Sequence, residues 1–323
     1  MSEQAGLIYA YILNGSGGGD EVGWDEVRRW QPQDGPLWVH LDRSAPESQQ
    51  WLANASGLEP LLCDALLAED ARPRAIPMQG GLLVILRGVN INPGADPNDL
   101  VSIRLWVDKQ RVISARRQQV FAVTDLRASL TDGAGPTSTI ELVIHLADRL
   151  IEHLGPIVSD IDDEVDALED QLFDGVTADL RAKLSDVRRT VIRVRRHLAP
   201  QREVLARLQI EASHFDEGQR MTLHEIGNRV THYVEDLDAA RERAMVTQEE
   251  LSNRLAEQLN HRMYVLSVVA AIFLPLGLVT GLWGINLGGI PGQDNDWGFA
   301  IFTGGLLAVG GIMVWVLRRR RLL

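Results

Sequence analysis

The chain has 323 residues and a formal net charge of -12, from 44 acidic against 32 basic side chains. This acidic balance argues against nucleic acid as a partner, because nucleic-acid binding requires clustered positive charge. The single cysteine, Cys63, excludes an internal disulfide and any zinc site built from several thiolates. The apolar run Leu7–Leu13 is too short for a signal peptide and lacks its basic flank.

Residues 1–135 are predicted to form a mixed α/β domain. Helical patterns at Pro46–Ala55, Pro60–Ala68 and Val120–Leu130 alternate with short runs rich in Val, Ile and Leu. This interleaving predicts a sheet that is covered by helices on at least one face. The predicted strands are Leu7–Leu13, Leu37–Leu41, Gly81–Val89, Val101–Val107 and Arg111–Ala115.

Residues 136–215 are predicted to form a helical hairpin. One long helix is expected from Pro136 to Phe173, where Asp174–Gly175 supplies a stop signal. Its second half is acidic, whereas the following helix is basic and contains Pro200, which is expected to kink or interrupt it. The acidic run either pairs with its basic neighbour in an antiparallel hairpin or forms a cation-binding surface near the membrane.

Residues 216–262 are predicted to be the stalk part of a helix that continues to residue 283, because no Gly or Pro lies between Asn228 and Leu274. At 1.5 Å per residue this helix is on the order of 100 Å long. Its apolar residues recur at a spacing of three and four, which indicates a heptad seam. The seam is expected to pack on the hairpin and on neighbouring copies, so we expect a homo-oligomer. The seam residues are Leu223, Ile226, Val230, Tyr233, Leu237, Ala240, Ala244, Leu251, Leu255, Leu259 and Met263.

Residues 263–323 are predicted to be a two-helix transmembrane domain with a short loop. Tyr264–Trp283 and Trp297–Leu317 carry no charge, and each is long enough to cross ~30 Å of hydrocarbon. Basic residues precede the first span, and Arg318–Arg321 follow the second. The positive-inside rule then places both termini in the cytoplasm and the loop outside, in a multi-pass protein of the inner membrane whose partner is the lipid bilayer.

One face of the first span differs from the rest of that helix. The outer half of this face is small and partly polar, and its inner half is apolar at Met263, Leu266 and Leu274. It fits either a water-filled passage with a hydrophobic constriction or a small-residue packing face in a helix bundle. Pro275 is expected to leave a carbonyl near Ala271 free to face water. The face comprises Met263, Leu266, Ser267, Ala270, Phe273, Leu274, Gly277, Thr280 and Gly281.

Asn286, just beyond the first span, favours the passage. Copies related by symmetry would form a ring of amide oxygens that binds a hydrated divalent cation, so Asn286 is the expected metal-contacting residue. Asp294 and Asp296 in the loop either attract cations from outside or only solvate the loop.

The spans contain no His, Cys, Asp or Glu, the groups that hold a dehydrated transition-metal ion, so a transported cation is expected to pass largely hydrated. No cofactor is expected other than the transported cation. Candidate ligands in the soluble part are histidines that are individually typical of surface or packing positions. They are His145, His153, His214, His224, His232 and His261.

The motif Gly284-Ile285-Asn286, with its short loop, second span and basic tail, resembles the CorA superfamily of divalent-cation channels and transporters, whose usual signature is Gly-Met-Asn. With isoleucine in place of methionine, the motif is similar to that of the ZntB zinc-transporter branch. The stretches CDALLAEDARPR at Cys63–Arg74 and GLLVILRGVN at Gly81–Asn90 also resemble that branch.

The resemblance implies an α+β, funnel-shaped homopentamer with a cytoplasmic α/β domain, a long helical stalk and two transmembrane helices in each protomer. It implies that the first spans line the pore and that Gly284, Ile285 and Asn286 form the selectivity mouth. It also implies Zn²⁺ transport, with possible coupling to protons. The departure from Gly-Met-Asn leaves a Mg²⁺, Co²⁺ or Ni²⁺ channel as the alternative.

Two other function classes compete with transport. A two-span signalling sensor normally carries a ligand-binding domain outside, but here only residues 284–296 lie between the spans. A membrane-tethered enzyme requires a nucleophile, base and acid set, and the α/β part offers none that is convincing. We therefore expect a transporter without enzymatic activity.

Overall fold

The structure is a computed structural model that describes residues 5–69, 72–96, 98–175, 179–211, 215–284 and 296–319. The chain divides into two compact units, Met1–Gln248 and Glu249–Leu323. Each unit is described by itself below.

The first unit contains a seven-stranded sheet in the order β2-β1-β3-β7-β6-β5-β4. Only β3 and β7 pair in parallel, and the other neighbours are antiparallel. All five predicted strands are present, and the two that the sequence did not reveal, β2 and β4, are the edge strands. The strands are β1 Leu7–Leu13, β2 Gly19–Glu21, β3 Leu37–Asp42, β4 Arg74–Met78, β5 Gly81–Gly88, β6 Val101–Val107 and β7 Arg111–Arg116.

Helices cover both faces of the sheet. On one face, Leu52 and Leu66 pack into a core with Leu83 of β5 and Trp106 of β6. On the other face, α5 packs so closely that a Cβ at Gly88 would lie 2.4 Å from Leu150 Cδ2. Side chains alternate along a strand, so near-continuous burial in β3 and β6 follows from cover on both faces. The helices of this domain are α1 Trp24–Arg29, α2 Pro46–Asn54, α3 Pro60–Leu67, α4 Phe121–Thr131 and α5 Thr139–Glu152.

A fully buried histidine, His40 of β3, pairs with Ser114 of β7. Its Nε2 accepts a hydrogen bond from Arg116 Nε at 3.2 Å, so the ring proton must reside on Nδ1. Nδ1 lies 2.8 Å from Ser114 Oγ, which accepts from Trp38 Nε1 and donates to Val39 O. Burial and the positive charge of Arg116 lower the pKa of His40 to about 3.

The helical segment after the sheet differs from its prediction. The single helix expected over residues 136–173 is wrong, since α5 ends at Glu152 and a second helix, α6, runs from Gly155 to Asp174. Pro156 lies in the first turn of α6, where its missing N–H leaves no intrahelical bond unmade. A Cβ at Gly155 would lie 2.7 Å from the Tyr233 hydroxyl, so only glycine fits this corner without a shift.

The next helix, α7, runs from Leu180 to Glu211 and contains Pro200. The sequence predicted a kink or an interruption there, but the helix is not interrupted. It is followed by α8, Glu217–Trp283, which the sequence predicted within one residue at its start. The predicted seam of α8 is buried or partly buried from Leu223 to Leu251 and exposed from Leu255 onward.

One arginine of α8 contacts the acidic side of α6. Arg243 donates to Asp162 at 3.0 Å, to Glu169 at 2.7 Å and also to Asp166. Its bonds to Glu169 and Asp166 raise the pKa of the guanidinium. These three carboxylates are four and three residues apart, so they lie along one side of the helix.

The predicted pairing of these three acids with the basic helix α7 is therefore wrong. The helices α6 and α7 do pack together, but through buried apolar residues such as Leu168 and Leu184. Charged side chains of α6 and α7 lie beside these apolar contacts, where they can pair with side chains of α8. Arg195 of α7 accordingly pairs with Asp238 of α8 at 3.0 Å.

The second unit contains the end of α8 and the last helix, α9, Gly298–Arg319. Eighteen-residue windows of the two helices have mean hydropathies of 2.4 and 2.1 and are almost entirely exposed within this chain. Both helices are thus long and apolar enough to cross a membrane.

We predict that acid destabilises the α/β domain through His40. Since the pKa is about 3 when folded and 6.5 ordinarily, the folded state binds fewer protons than the unfolded state between these values. The free energy of unfolding therefore falls as pH decreases through that window, by at most about 1.4 kcal/mol per pH unit. His40→Gln removes the contribution of His40 to this pH dependence. The melting temperature of the variant should therefore depend less on pH than that of the native protein.

Thermal unfolding of the purified protein from neutral to mildly acidic pH measures the difference. The matched control is His232→Gln, the same substitution at an exposed histidine. Identical pH profiles for His40→Gln and the native protein would contradict the prediction.

Candidate functional site

One side of α8 contacts α9 within the second unit. Val268, Ile272 and Leu276 are spaced four residues apart, and they are the least exposed residues of this half of the helix. A Cβ at Gly310 would lie 3.7 Å from Leu276 Cδ1. Nearer the end of α8, the Trp283 ring stacks on Phe302 with centroids 5.4 Å apart. The two helices are therefore antiparallel neighbours.

The face predicted to line a pore lies on the other side of α8. Two residues along a helix correspond to a rotation of about 200°, so Ala270 and Leu274 point away from Ile272 and Leu276, respectively. Every residue of the predicted face is exposed, and α9 does not cover it. These residues are Met263, Leu266, Ser267, Ala270, Phe273, Leu274, Gly277, Thr280 and Gly281.

The inner and outer halves of this face differ in chemistry. Met263, Leu266 and Leu274 are 66%, 69% and 73% exposed, respectively. In the outer half, a Cβ at Gly277 or Gly281 would meet no atom within 4 Å. The face thus combines large apolar side chains near one end with open backbone near the other.

Two polar groups of the span are oriented by the backbone. Thr280 Oγ1 donates to Leu276 O at 2.8 Å, and because its only proton is used there, the hydroxyl oxygen can only accept further bonds. Pro275 has no N–H, so the Ala271 carbonyl lacks the donor that a helix normally supplies four residues later. Thr280 Oγ1 and the Ala271 carbonyl oxygen can therefore each accept a hydrogen bond from water, including the water that surrounds a hydrated cation.

The residues predicted for the outer mouth are only partly described. Gly284 follows α8 directly, and its N–H donates to Thr280 O at 2.9 Å. Asp296 is exposed two residues before α9 begins. Ile285, Asn286 and Asp294 lie outside the described residues.

Three of the candidate histidines, His145, His153 and His232, lie beside a carboxylate. His153 Nε2 lies 3.0 Å from Asp125 Oδ2, His145 lies 3.8 Å from Glu141, and His214 is outside the described residues. Among the residues that the structure describes, no three or more His, Cys, Asp or Glu side chains form a group able to hold a metal ion.

Sequence comparison places this two-helix arrangement in a known family. Residues 33–319 match the family model described as a CorA-like Mg²⁺ transporter protein. The chain belongs to the CorA-like family. It is therefore a divalent cation transporter rather than an enzyme, as its sequence predicted.

Individual relatives agree with this assignment. The divalent cation transporter CmaX of Pseudomonas aeruginosa is 42% identical, over 99% of this chain and 97% of its own length. The zinc transport protein ZntB of Yersinia pseudotuberculosis is 35% identical, over 97% of this chain and 95% of its own. The structure of full-length CmaX superposes with a TM-score of 0.86, at 41% identity and 99% coverage of both chains.

Sequence reasoning missed the surface of α8 that contacts α9. The available signal was the alternation of large and small residues: Val268, Ile272 and Leu276 are bulky, whereas Ala270 and Gly277 are small. Gly310 of α9 lies beside this surface, since a Cβ there would be in ordinary van der Waals contact with Leu276 Cδ1.

We predict that the two faces of α8 differ in contact with water. In Gly277→Cys the thiol should react with a membrane-impermeant methanethiosulfonate reagent, because we expect that face to border a wet path. In Leu276→Cys, at the same depth but facing α9, the reaction should be at least ten-fold slower. Labelling rates in intact vesicles, measured by mass spectrometry, test this difference.

The native protein is the background control, because its single thiol, Cys63, is buried. Equal labelling rates at the two positions would contradict a wet face at Gly277.

Proposed function

We propose that the protein transports Zn²⁺ across the bacterial inner membrane along an axis lined by α8. The observation that carries this proposal is the exposed face of α8 opposite α9, which is small and partly polar in its outer half. A lipid-facing surface has no need of such residues, whereas a cation pathway does. Membership of a divalent cation transporter family supports the same reading.

A single α8 cannot enclose a path, so the proposal requires several copies. The exposed apolar residues Leu255, Leu259 and Met263 supply a surface on which neighbouring copies can pack. We propose a funnel-shaped homopentamer, the state that the resemblance to CorA transporters implies. The second helices, α9, then form an outer ring towards lipid.

The outer mouth is proposed to consist of Gly284, Ile285 and Asn286. Five Asn286 amide oxygens would hydrogen-bond the hydration shell of the cation without removing it, so the ion binds weakly and can leave. Asp294 and Asp296 would raise the local concentration of cations outside. At the inner end, rings of Met263, Leu266 and Leu274 would close the path by excluding water.

The proposed orientation follows from charge. Arg318–Arg321 directly follow the second span, while residues 284–296 contain acidic side chains and no Lys or Arg. Both termini and the α/β domain therefore face the cytoplasm.

Zinc is preferred over other divalent cations on two grounds. The sequence carries Ile285 where the Gly-Met-Asn signature has methionine, and a relative named for zinc transport is 35% identical. The relative at 42% identity is named only for divalent cations, so a Mg²⁺, Co²⁺ or Ni²⁺ channel is the competing function.

We predict that Asn286→Ala reduces Zn²⁺ flux at least ten-fold, because the mouth loses its amide oxygens. Asn286→Gln keeps the amide on a longer stem and should retain more flux than alanine. Proteoliposomes loaded with a zinc-sensitive dye measure the rates, and size-exclusion profiles show whether assembly is intact. Native flux in an assembled Asn286→Ala variant would remove this residue from the mechanism.

We also predict that the reconstituted native protein takes up Zn²⁺ faster than Mg²⁺, Co²⁺ or Ni²⁺ at equal concentration. Competition among the four ions, with and without a pH gradient, measures both selectivity and coupling to protons. An uptake rate for Mg²⁺ above that for Zn²⁺ would favour the competing function. A Zn²⁺ rate independent of the gradient would contradict proton coupling.

A further inference from the structure

The last turn of α9 carries positive charge without a carboxylate partner. Arg318 and Arg319 are both exposed, and within the described part of the chain neither one contacts an acidic side chain. The Arg319 guanidinium carbon lies 5.2 Å from the centroid of the Trp315 ring. The sequence continues with two further arginines.

The depth of these arginines follows from the length of α9. From Trp297 to Leu317 an α-helix rises about 30 Å, which equals the hydrocarbon core of a bilayer. If Trp297 lies at one surface of that core, Arg318 lies directly at the other. The two guanidinium groups are therefore held at the level of lipid headgroups rather than in bulk water.

The register between α8 and α9 gives the same depth independently. The contacts of Leu276 with Gly310 and of Trp283 with Phe302 show that the helices run antiparallel with matched rise. Extending that register places Arg318 beside Val268, within about one turn of the start of the apolar segment of α8, so the two depths agree to about 6 Å. A cation at this depth requires a counter-ion, because the hydrocarbon nearby cannot solvate it.

We propose that Trp315, Arg318 and Arg319 form a binding site for the headgroup of an anionic phospholipid. An arginine that stacks on an aromatic ring keeps its planar N–H edge free, and that edge matches two oxygens of a phosphodiester. The Trp315 ring, 58% exposed, borders the acyl chains beside the headgroup. The C-terminus of α9 carries the negative end of its helix dipole, equivalent to about half a charge. The positive charge of the two arginines exceeds it.

Net charge selects an anionic over a zwitterionic lipid. Phosphatidylglycerol and phosphatidylcholine both offer a phosphate, but the choline group of the second cancels its charge. Each basic residue near the membrane surface contributes about five-fold to the preference for an anionic lipid. Two arginines therefore predict an enrichment of about 25-fold beside Trp315.

The test uses contact quenching of tryptophan fluorescence by brominated lipids. The full-length protein is reconstituted into phosphatidylcholine vesicles containing equal fractions of brominated phosphatidylglycerol or brominated phosphatidylcholine. Subtracting the signal of Trp315→Phe isolates Trp315 from the other seven tryptophans of the chain, which has eight. The Trp315 signal should be quenched more strongly by the brominated phosphatidylglycerol.

Variants then identify the residues responsible. The preference should fall by about 25-fold in the double variant Arg318→Gln/Arg319→Gln, which keeps Arg320 and Arg321, and should fall less in Arg318→Lys/Arg319→Lys, which keeps charge but loses the planar edge. The double variant Arg220→Gln/Arg241→Gln removes the same charge from exposed positions of the first unit. It should leave the preference for brominated phosphatidylglycerol unchanged. Quenching by brominated phosphatidylcholine reports insertion in every variant.

Equal quenching of Trp315 by the two brominated lipids in the native protein would overturn the proposal. So would loss of the preference on addition of inorganic phosphate, because the ligand would then be a free anion rather than a lipid. The assay involves no transported ion, so its result does not depend on the proposed function.

Discussion

Backbone hydrogen bonding is the constraint on which the membrane part depends. A chain that enters hydrocarbon finds no water for its N–H and C=O groups and must satisfy them internally. The α8 helix meets this requirement by continuing without a break from Glu217 to Trp283. Pro275 is the local exception, because it cannot bond the Ala271 carbonyl. That carbonyl needs a polar partner, and a wet axis between copies of α8 would supply one.

The same helix must also present different surfaces to different neighbours. Its Val268–Ile272–Leu276 side fits against α9, while the opposite side carries Ala270 and Gly277, whose small size leaves space. Neither span contains an Asp, Glu, His, Lys or Arg side chain up to Leu317. A divalent cation on such a neutral path would keep its hydration shell and would be held loosely at every point.

The sequence predicted elements well where local pattern decides the structure. Val101–Val107 and the 67-residue α8 were recognised because alternation and uninterrupted helical spacing are strong local signals. The edge strand β2 was missed because its pairing with β1, not its composition, makes it a strand. The break before Gly155 was missed because helical spacing continues across it.

The sites show the same division between local and long-range information. The predicted pore face is set by helical geometry alone, and the structure places its residues on one exposed side of α8. The partner of the acidic run on α6 depends on tertiary packing, so the sequence pointed to the adjacent basic helix rather than to Arg243, 74 residues beyond Glu169. The roles of Ile285, Asn286, Asp294 and Asp296 rest on the family resemblance and stay predictions.

The length of α9 has a consequence for the membranes in which this protein can work. Its uncharged segment from Trp297 to Leu317 has no residues to spare, and arginine follows immediately. In a bilayer with longer acyl chains the segment could not reach both surfaces, so the lipid would have to thin around it or the arginine side chains would have to stretch outward. The protein is accordingly matched to bilayers whose hydrocarbon core is about 30 Å thick, and lengthening the lipid tails strains α9.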